Sequence, residues 1–198
     1  MKEFLKQIRI SVVATLVFAV VLCGIYPLIV WAFGQALFPW QANGSLINDA
    51  SGTVIGSAII GQNFSGPQYF EPRPSAAGAG YDPTASGGTN LGPTSQKLAT
   101  MIQQNIAAYR AENGLSSSTP VPADAVTASG SGLDPEISIT NAAIQAPRVA
   151  KARNIPLSDV ESLIEANTDG RSLGVFGEPG VNVLTLNIAL DNQYPVRK

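Results

Sequence analysis

The sequence contains no histidine among its 198 residues. A Ser-His-Asp triad, a Cys-His dyad and every histidine-ligated metal site are therefore excluded. Its single cysteine, Cys23, can form no disulfide within the chain and has no thiolate partners for a zinc site. Charged residues make up only 13% of the chain, and the net charge is −2. The twelve basic residues are scattered, so nothing indicates a nucleic-acid-binding surface.

Charge is missing altogether from residues 10–48. The apolar part of this segment, residues 10–33, would rise about 36 Å as a helix, which is enough to cross a hydrocarbon layer of roughly 30 Å. We therefore predict one transmembrane helix over residues 10–33. Trp31 and Trp40 flank the end of this helix, where amphipathic indole rings are expected to lie at the membrane interface with the lipid bilayer.

A cleaved signal peptide is the alternative interpretation of this apolar segment. The apolar region of a signal peptide is about 7 to 15 residues long and ends in small residues at the cleavage site. The segment here is longer, contains a proline and is followed by the poor cleavage sequence WAFGQALF. The sequence therefore favours a membrane anchor, in which Gly24 and Pro27 are the positions where the helix could bend.

The charges on either side of the span predict its orientation. Residues 1–9 contain three basic side chains and one acidic side chain, whereas no basic residue follows the span until Arg73. Because basic residues are retained on the cytoplasmic side, we expect residues 1–9 in the cytoplasm and residues 34–198 outside it. This extracytoplasmic domain carries 13 acidic and 9 basic residues, a net charge of −4.

The outer domain shows both strand and helix patterns, so its class is predicted to be α+β. Two short strands with a turn between them are expected near residues 45–48 and 53–60. A further short strand is expected within residues 125–129.

Three helices are expected from apolar spacing and from their end signals, over residues 93–112, 138–153 and 158–167. The last begins with Ser158 and Glu161 in the register of a capping box. Residues 179–191 fit both an alternating strand and a helix that begins after Pro179, and we favour the helix.

Residues 61–93 are rich in Gly, Pro, Ser, Thr and Asn and show no clear period. A loop of this length inside a compact domain is either disordered or functional. Four aromatic residues are interleaved with the small residues: Phe64, Tyr69, Phe70 and Tyr81. Disordered segments are poor in aromatic residues, so the composition predicts an ordered binding loop.

Within this loop, Gly87 and Gly92 have the spacing of a phosphate-binding P-loop. The motif needs a lysine on the phosphate oxygens directly after the second glycine, and Pro93 stands there instead. Proline supplies neither the ammonium group nor a backbone N–H. We therefore interpret Pro93 as the first residue of a helix, and the glycines as residues that shape an ordered turn.

Two catalytic interpretations are weak. Thr94 and Lys97 have the spacing of an S-x-x-K motif, but the nucleophile would be threonine, and no S-D-N or K-T-G element occurs. Asp134 and Glu136, with Glu71 in the aromatic loop, could supply paired carboxylates, although the sequence cannot show that they meet. A membrane-anchored enzyme or binding module therefore stays as the alternative to an interaction module that docks on membrane partners.

Arg73 lies between two prolines and is the only basic residue between Arg9 and Lys97. Rigid flanks would present its guanidinium group with little loss of entropy. It could form a forked pair with a carboxylate of a partner or with an internal carboxylate, and the sequence does not choose between them.

Several long motifs together resemble one family. They run in order from about residue 26 to residue 191: FPWQANGSLI, GSAIIGQNFSGPQYFEPRPSA, YDPTASGGTNLGPTSQKL, VTASGSGLDPEIS, QAPRVAKARN and GEPGVNVLTLNIALD. In sequence, order and spacing they are similar to KdpC, the C subunit of the bacterial Kdp potassium-transporting P-type ATPase.

The resemblance implies a non-catalytic, single-span accessory subunit of a high-affinity potassium uptake complex in the bacterial inner membrane. The implied partners are a potassium-pore subunit, a P-type ATPase subunit that carries the phosphorylated aspartate, and a very small membrane subunit. The implied role is assembly and stabilisation of the complex, with at most an indirect effect on ATP binding. No cofactor is expected on this chain: ATP and magnesium belong to the ATPase subunit, and potassium is the transported ion.

The loop shaped for docking on the partners is expected to contain seven residues: Phe70, Arg73, Ser75, Ser86, Gly87, Gly88 and Asn90. Arg148 is a second candidate, either in a salt bridge inside the domain or at the interface.

Three residues depart from the pattern of the family. Glu71 and Glu136 stand where the family is expected to carry histidine, and Thr185 stands where glutamate is expected. An unperturbed carboxylate stays charged near neutral pH, whereas histidine titrates there, so any pH-sensitive contact at these positions would be altered.

Overall fold

The computed structural model of the chain describes residues 1–196. The chain divides into two compact units, Met1–Leu46 and Ile47–Lys198. The first consists of helices, and the second combines helices with two small sheets. The predicted class, a single N-terminal apolar helix followed by an α+β domain, is confirmed.

The N-terminal unit is built on a continuous helical segment, Lys2–Leu37, with a mean hydropathy of 2.6 over its most apolar part. Within residues 1–196 it is the one helix long and apolar enough to cross a membrane. It comprises α1 (Lys2–Val20), a π-helical turn (Val21–Ile25) and α2 (Tyr26–Leu37), so it extends beyond both ends of the predicted span. A short helix, α3 (Pro39–Ala42), follows.

The π-helical turn lies where the sequence predicted an irregularity. Pro27 has no N–H with which to bond the carbonyl group four residues before it, and Gly24 lies within the turn itself. The helix therefore continues through the proline with one widened turn. Trp31 and Trp40 expose about half or more of their surface in the isolated chain, and the indole N–H of Trp40 donates to the carbonyl oxygen of Leu46 at 3.0 Å.

The predicted strand pair is present as β1 (Leu46–Asn48) and β2 (Val54–Ser57). Its turn is held by Asp49, whose carboxylate accepts from the backbone N–H of Thr53 at 2.9 Å. The second strand is shorter than predicted, because the chain turns after Ser57, where the N–H of Ile60 donates to the carbonyl oxygen of Ser57.

The second sheet has three short antiparallel strands in the order β3-β5-β4. They are β3 (Glu136–Ser138), β4 (Thr168–Asp169) and β5 (Gly180–Asn182), the last paired on both sides through Val181. This sheet was not predicted from the sequence, because strands of two or three residues are too short to show an alternating pattern.

Four helices complete the domain: α4 (Gln96–Glu112), α5 (Ile139–Arg153), α6 (Leu157–Ala166) and α7 (Val183–Gln193). For α5 the prediction is confirmed, with Ser138 as its N-cap. Residues 179–191 contain both of the elements that their pattern allowed, a strand and a helix. The strand β5 comes first, and α7 begins only after Asn182, whose side chain accepts from the N–H of Thr185 at 3.2 Å.

The predicted start of α4 is wrong by about one turn. Pro93 lies in a turn closed by a bond from the N–H of Ser95 to the carbonyl oxygen of Gly92, at 2.9 Å. The helix begins after Ser95, because the hydroxyl group of Ser95 accepts from the N–H of Leu98 and so satisfies a free donor of the first turn. Proline at position 93 could not supply such a cap.

The predicted capping box of α6 is absent. The helix begins one residue earlier than predicted, after Pro156, and the hydroxyl group of Ser158 donates to Asp159 at 3.3 Å.

The strand predicted within residues 125–129 is also absent. A 3₁₀ turn occupies Ala123–Ala125, and the hydroxyl and N–H of Thr127 both bond back to its first carbonyl oxygen.

The core of the domain lies among α5, α6, α7 and the three-stranded sheet, and the loop contributes Phe70 to it. Its largest fully buried apolar side chains are Phe70, Ile137, Val149, Val160, Val181, Val183, Leu186 and Leu190. The long loop is therefore attached to the core through an aromatic residue.

Candidate functional site

Residues 61–93 form an ordered loop, and two buried amide side chains hold its backbone. Asn187, on α7, accepts from the N–H of Phe70 and donates to its carbonyl oxygen, both at 2.9 Å. Gln145, on α5, does the same for Glu71, at 2.8 and 3.0 Å. The N–H and carbonyl groups of two consecutive loop residues thus bond to amide side chains of the core. The disordered alternative is excluded.

Two arginines of α5 hold the residues just before this point. Arg148 donates to the carbonyl oxygens of Pro67 and Tyr69 at 3.0 and 2.9 Å, and to the side chains of Asn113 and Gln145. Arg148 is therefore bonded inside the domain, through carbonyl and amide oxygens rather than a carboxylate.

Arg153 donates to the carbonyl oxygen of Gln68 at 2.7 Å and to the carboxylate of Asp191 at 2.8 Å. Its guanidinium group also lies over the ring of Tyr69, 5.0 Å from the centroid. Arg153 was not among the site residues predicted from the sequence, although it lies in the same PRVAKAR segment as Arg148.

Of the two carboxylate partners considered for Arg73, the structure shows the internal one. Its guanidinium group forms a salt bridge of 3.0 Å with Asp134, whose other oxygen accepts from the N–H of Glu136. The hydroxyl group of Tyr81 donates to the carbonyl oxygen of Arg73, so the aromatic residue fixes the backbone here. Within residues 1–196, the Nε atom of Arg73 is buried without a hydrogen-bond partner.

The second half of the loop lies against residues 129–132. Ser75 donates to the carbonyl oxygen of Gly132 at 2.6 Å and accepts from the N–H of Tyr81 at 2.8 Å. Ser86 and the N–H of Gly87 both donate to the carbonyl oxygen of Ser131, at 3.0 and 2.8 Å. These contacts connect residues 75 and 86–87 of the loop to one segment.

The glycines at positions 87, 88 and 92 have different surroundings. The N–H of Gly87 donates to the carbonyl oxygen of Ser131, but among the described residues nothing would lie within 4 Å of a Cβ atom on Gly87 or Gly92. Gly88 allows two backbones to approach closely, because a Cβ atom there would lie 3.2 Å from the carbonyl oxygen of Gly130. Gly92 takes part in the turn before α4, where its carbonyl oxygen accepts from the N–H of Ser95. The left-handed residue of this segment is Asn90, with a φ of 52°, rather than a glycine.

A cavity of about 280 Å³ lies between the loop and α4. Its lining includes two carboxyl groups, Glu71 and Glu112, and two phenol rings, Tyr81 and Tyr109. Burial, together with the hydrogen bond and the charge of the neighbouring Glu112 carboxyl group, raises the pKa of Glu71 to about 7 against the opposing charge of Arg148. Burial likewise raises the pKa of both tyrosines. This pair of carboxyl groups was not predicted from the sequence.

The catalytic interpretations gain no support from these positions. Thr94 and Lys97 are exposed, and Thr94 precedes the N-cap of α4. Asp134 is occupied by Arg73, whereas Glu136 lies in β3, where burial and the charges of Asp169 and Asp134 raise its pKa. Within residues 1–196 no three acidic or cysteine side chains form a group that could hold a metal ion.

The eight predicted interface residues fall into two sets. Phe70, Arg73, Ser75, Gly87, Gly88 and Arg148 are buried or half-buried and hold the loop, whereas Ser86 and Asn90 are exposed. Phe70 has no exposed surface at all. The structure thus assigns most of them a role in shaping the loop, and their place in a subunit interface stays a prediction.

The sequence matches one family over residues 8–192, described as KdpC: K+-transporting ATPase, c chain. A potassium-transporting ATPase KdpC subunit from Mycobacterium tuberculosis (strain ATCC 25618 / H37Rv) is 55% identical over 186 residues, which are 94% of this chain and 98% of the relative. The subunit of the same name from Caulobacter vibrioides (strain NA1000 / CB15N) is 54% identical over 191 residues, 96% of this chain and 95% of the relative.

Proposed function

Because the chain belongs to the KdpC family of K+-transporting ATPase subunits, we propose that it is a non-catalytic accessory subunit that assembles and stabilises a potassium uptake complex. The observation that carries this proposal is the extent of the match, which runs through both the apolar helix and the α+β domain. A shared soluble domain alone would not account for a match that includes the anchor.

The proposed complex divides its work among its subunits. A pore subunit admits potassium, and a P-type ATPase subunit carries the phosphorylated aspartate together with ATP and magnesium. A very small membrane subunit accompanies them. This chain then supplies no catalytic residue and no cofactor, and any effect on ATP binding or on the admission of potassium is indirect.

We further propose that the apolar helix is a single span with residues 1–9 in the cytoplasm and the domain outside. The support is the asymmetry of charge: the only basic residues before Arg73 precede the apolar segment. In this arrangement the domain is separated from cytoplasmic ATP, which favours a role in assembly over a direct role in nucleotide binding.

The ordered loop supports a docking role. Its backbone is held by buried amides and arginines, so a partner would meet a surface that is already shaped and would order few residues on binding. Ser86 and Asn90 are the exposed members of the predicted set, and Ser86 lies where the loop is attached to Ser131.

Co-purification tests the accessory-subunit proposal. A tagged chain is expressed together with the other subunits of its potassium pump and is extracted in mild detergent. We expect the pump subunits to co-purify with it, and we expect ATPase activity that depends on potassium to be lost when this chain is omitted.

Extraction of the chain as a stable monomer, with an active pump assembled in its absence, would contradict the proposal. That result would favour an independent anchored enzyme or binding module. A matched control is the apolar helix alone, residues 1–46, with the same tag; it separates recruitment by the anchor from recruitment by the domain.

Cysteine labelling tests the orientation. In a Cys23→Ala background, Ser117→Cys places a thiol on the exposed connection after α4, and Gln7→Cys places one before the span. An impermeant maleimide should label Ser117→Cys in intact cells, and Gln7→Cys only after permeabilisation. The reverse pattern would invert the proposed topology.

A further inference from the structure

The apolar helix begins well before its charge-free part. Helix α1 starts at Lys2, and the N–H of Leu5 donates to the carbonyl oxygen of Met1 at 3.1 Å. Residues 2–9 therefore extend the helix by about 12 Å before the charge-free segment of residues 10–48. Because the helix continues without a break into the π-helical turn and α2, the side chains of this extension keep a fixed register with the predicted span.

Three basic side chains lie on one face of this extension. Lys2, Lys6 and Arg9 stand at positions i, i+4 and i+7 of the helix. At about 100° per residue they fall within an arc of about 60°. All three are exposed, and among residues 1–196 none of them forms an ion pair. The three residues therefore form a stripe of positive charge, called here the basic stripe.

A second face of the same turns is apolar. Phe4, Leu5 and Ile8 expose 69%, 59% and 44% of their surface, and they are centred about 120° around the helix from the basic stripe. Helical turns with basic side chains on one side and exposed apolar side chains on another are typical of the boundary between lipid headgroups and acyl chains. The apolar face therefore favours a position of this extension at the membrane surface rather than in free solvent.

The depth of the basic stripe points to its partner. Arg9 directly precedes the charge-free segment, so it lies at the border of the hydrocarbon layer when that segment spans the membrane. The headgroup region adds roughly 5–7 Å on each side of this layer. Lys6 lies about 4.5 Å beyond Arg9 along the helix axis and Lys2 about 10.5 Å, so their long side chains can reach the same region. The acidic groups at this depth are lipid phosphates.

Charge selects the class of lipid. A zwitterionic headgroup carries an ammonium group that offsets the attraction of its phosphate, whereas an anionic headgroup does not. Each basic side chain beside the membrane strengthens the attraction to anionic lipid by about fivefold. An acidic surface on a neighbouring subunit is the other occupant of suitable charge. Lipid headgroups are favoured over it, because they surround this depth whichever subunits are bound.

We propose that the basic stripe of Lys2, Lys6 and Arg9 binds the headgroup phosphates of anionic phospholipid in the cytoplasmic leaflet. This inference rests on the proposed single span, because the span places the stripe at the depth of the headgroups. It goes beyond the argument from orientation, in which only the number of basic residues matters. A binding surface also needs these side chains on one face of the helix.

Native mass spectrometry of the purified full chain in uncharged detergent tests the proposal. The chain is titrated with phosphatidylglycerol or, for comparison, with zwitterionic phosphatidylcholine. We expect the wild type to bind phosphatidylglycerol more tightly by about tenfold or more, and the triple variant Lys2→Gln, Lys6→Gln, Arg9→Gln to lose this preference. Equal binding of the two lipids by the wild type would overturn the proposal.

Two control variants separate a site from general attraction by charge. Lys6→Gln with Gln7→Lys keeps the net charge but moves the middle charge by about 100° off the stripe, so phosphatidylglycerol should bind about fivefold more weakly. Lys97→Gln with Lys151→Gln removes two exposed charges from the domain and should leave binding unchanged. The stripe is not the site if the rearranged variant binds like the wild type, or if the domain variant weakens binding as much as the triple variant.

Cross-linking in the assembled complex distinguishes lipid from a protein occupant. In a Cys23→Ala chain, Gln7→Cys leaves the basic stripe intact and carries a benzophenone maleimide beside it. We expect adducts with phospholipid, and adducts with another pump subunit alone would overturn the proposal. Failure of the proposed function shows elsewhere: loss of co-purification contradicts the accessory role, and inverted maleimide labelling contradicts the topology. Neither result changes the lipid binding measured on the purified chain.

Discussion

At the scale of single residues, the carboxyl group of Glu71 has the most consequential surroundings. The family pattern predicts histidine at this position, and a carboxylate with an ordinary pKa would be charged throughout the neutral range. In the cavity beside Glu112, the pKa of Glu71 is raised to about 7. The residue therefore titrates in the range where histidine would, although protonation neutralises a carboxylate and charges an imidazole.

The stability of the domain should consequently depend on pH. The pKa of Glu71 is about 7 in the folded chain and 4.5 in its reference state. At pH values between these two, the folded chain therefore binds more protons than the unfolded chain. Stability is then greatest below about pH 5 and falls as pH rises through 7. This shift in pKa corresponds to a change of at most about 3 kcal/mol in the free energy of unfolding, and partial exposure to solvent reduces the change to about 1 kcal/mol.

Replacing Glu112 with Gln should remove part of this dependence, because burial raises the pKa of Glu71 most and Glu112 raises it next. Urea unfolding of the full chain in detergent, from pH 5 to pH 8, should give a flatter stability curve for Glu112→Gln than for the wild type. Glu165→Gln, an exposed carboxyl group on α6, is the control and should leave the curve unchanged. Parallel curves for the wild type and Glu112→Gln would contradict the prediction.

Asn187 shows how one side chain can order a long loop. Asn187→Ala would leave the N–H and the carbonyl oxygen of Phe70 buried without partners, which should cost about 3 kcal/mol of unfolding free energy. Asn192→Ala, exposed on the same helix, should cost less than about 0.5 kcal/mol. Chemical denaturation measures both, and limited proteolysis should cut residues 61–93 faster in Asn187→Ala. Equal stabilities would show that the loop is ordered without this clamp.

At the scale of elements, the ends of the helices depend on which side chain caps them. Ser95→Ala should destabilise the domain by roughly 0.5–1 kcal/mol, because its hydroxyl group accepts from the N–H of Leu98. Thr94→Ala is the matched control and should change stability by less than about 0.5 kcal/mol. Unfolding free energies and hydrogen exchange at Leu98 measure the effect. A larger loss for Thr94→Ala would place the start of the helix nearer to Pro93.

The ends of some helices and strands could be predicted from the sequence, and those of others could not. Helix α5 was predictable, because Ser138 directly precedes a long periodic segment and can cap its first turn. For α4 two start signals compete, and the sequence does not reveal that Pro93 lies in a separate turn. The strand β5 could not be separated from α7, because three residues cannot show an alternation.

The candidate site was predictable in outline and not in its contacts. Composition predicted that residues 61–93 are ordered, because aromatic residues are interleaved with Gly and Pro. The residues that hold the loop are distant in sequence: Asn187 lies 117 positions after Phe70. A lone asparagine in the apolar stretch VLTLNIAL was a visible signal, but nothing in the sequence identifies its partner.

At the scale of the whole molecule, the distribution of charge distinguishes the two ends of the apolar helix. Residues 1–9 carry Lys2, Lys6 and Arg9, whereas the next basic residue after the span is Arg73. In the proposed topology, the cytoplasmic retention of short basic segments selects one orientation from two that are equally compatible with an apolar helix. The proposal therefore makes orientation depend on these three side chains.

Neutralising these three residues should weaken the preference. In the Cys23→Ala, Ser117→Cys background, the triple change Lys2→Gln, Lys6→Gln and Arg9→Gln should lower labelling by an impermeant maleimide in intact cells, with full labelling restored by permeabilisation. The physical reason is that nothing basic then favours retention of the N-terminus over retention of the domain.

The matched control neutralises Lys97 and Lys151, which are exposed on the domain, in the same background. This pair should leave labelling unchanged, because charges far along a long translocated domain have little influence on orientation. Undiminished labelling of the N-terminal triple variant would show that the domain is translocated regardless of the three basic residues, so that the orientation is determined by the folded domain or by its partners rather than by charge.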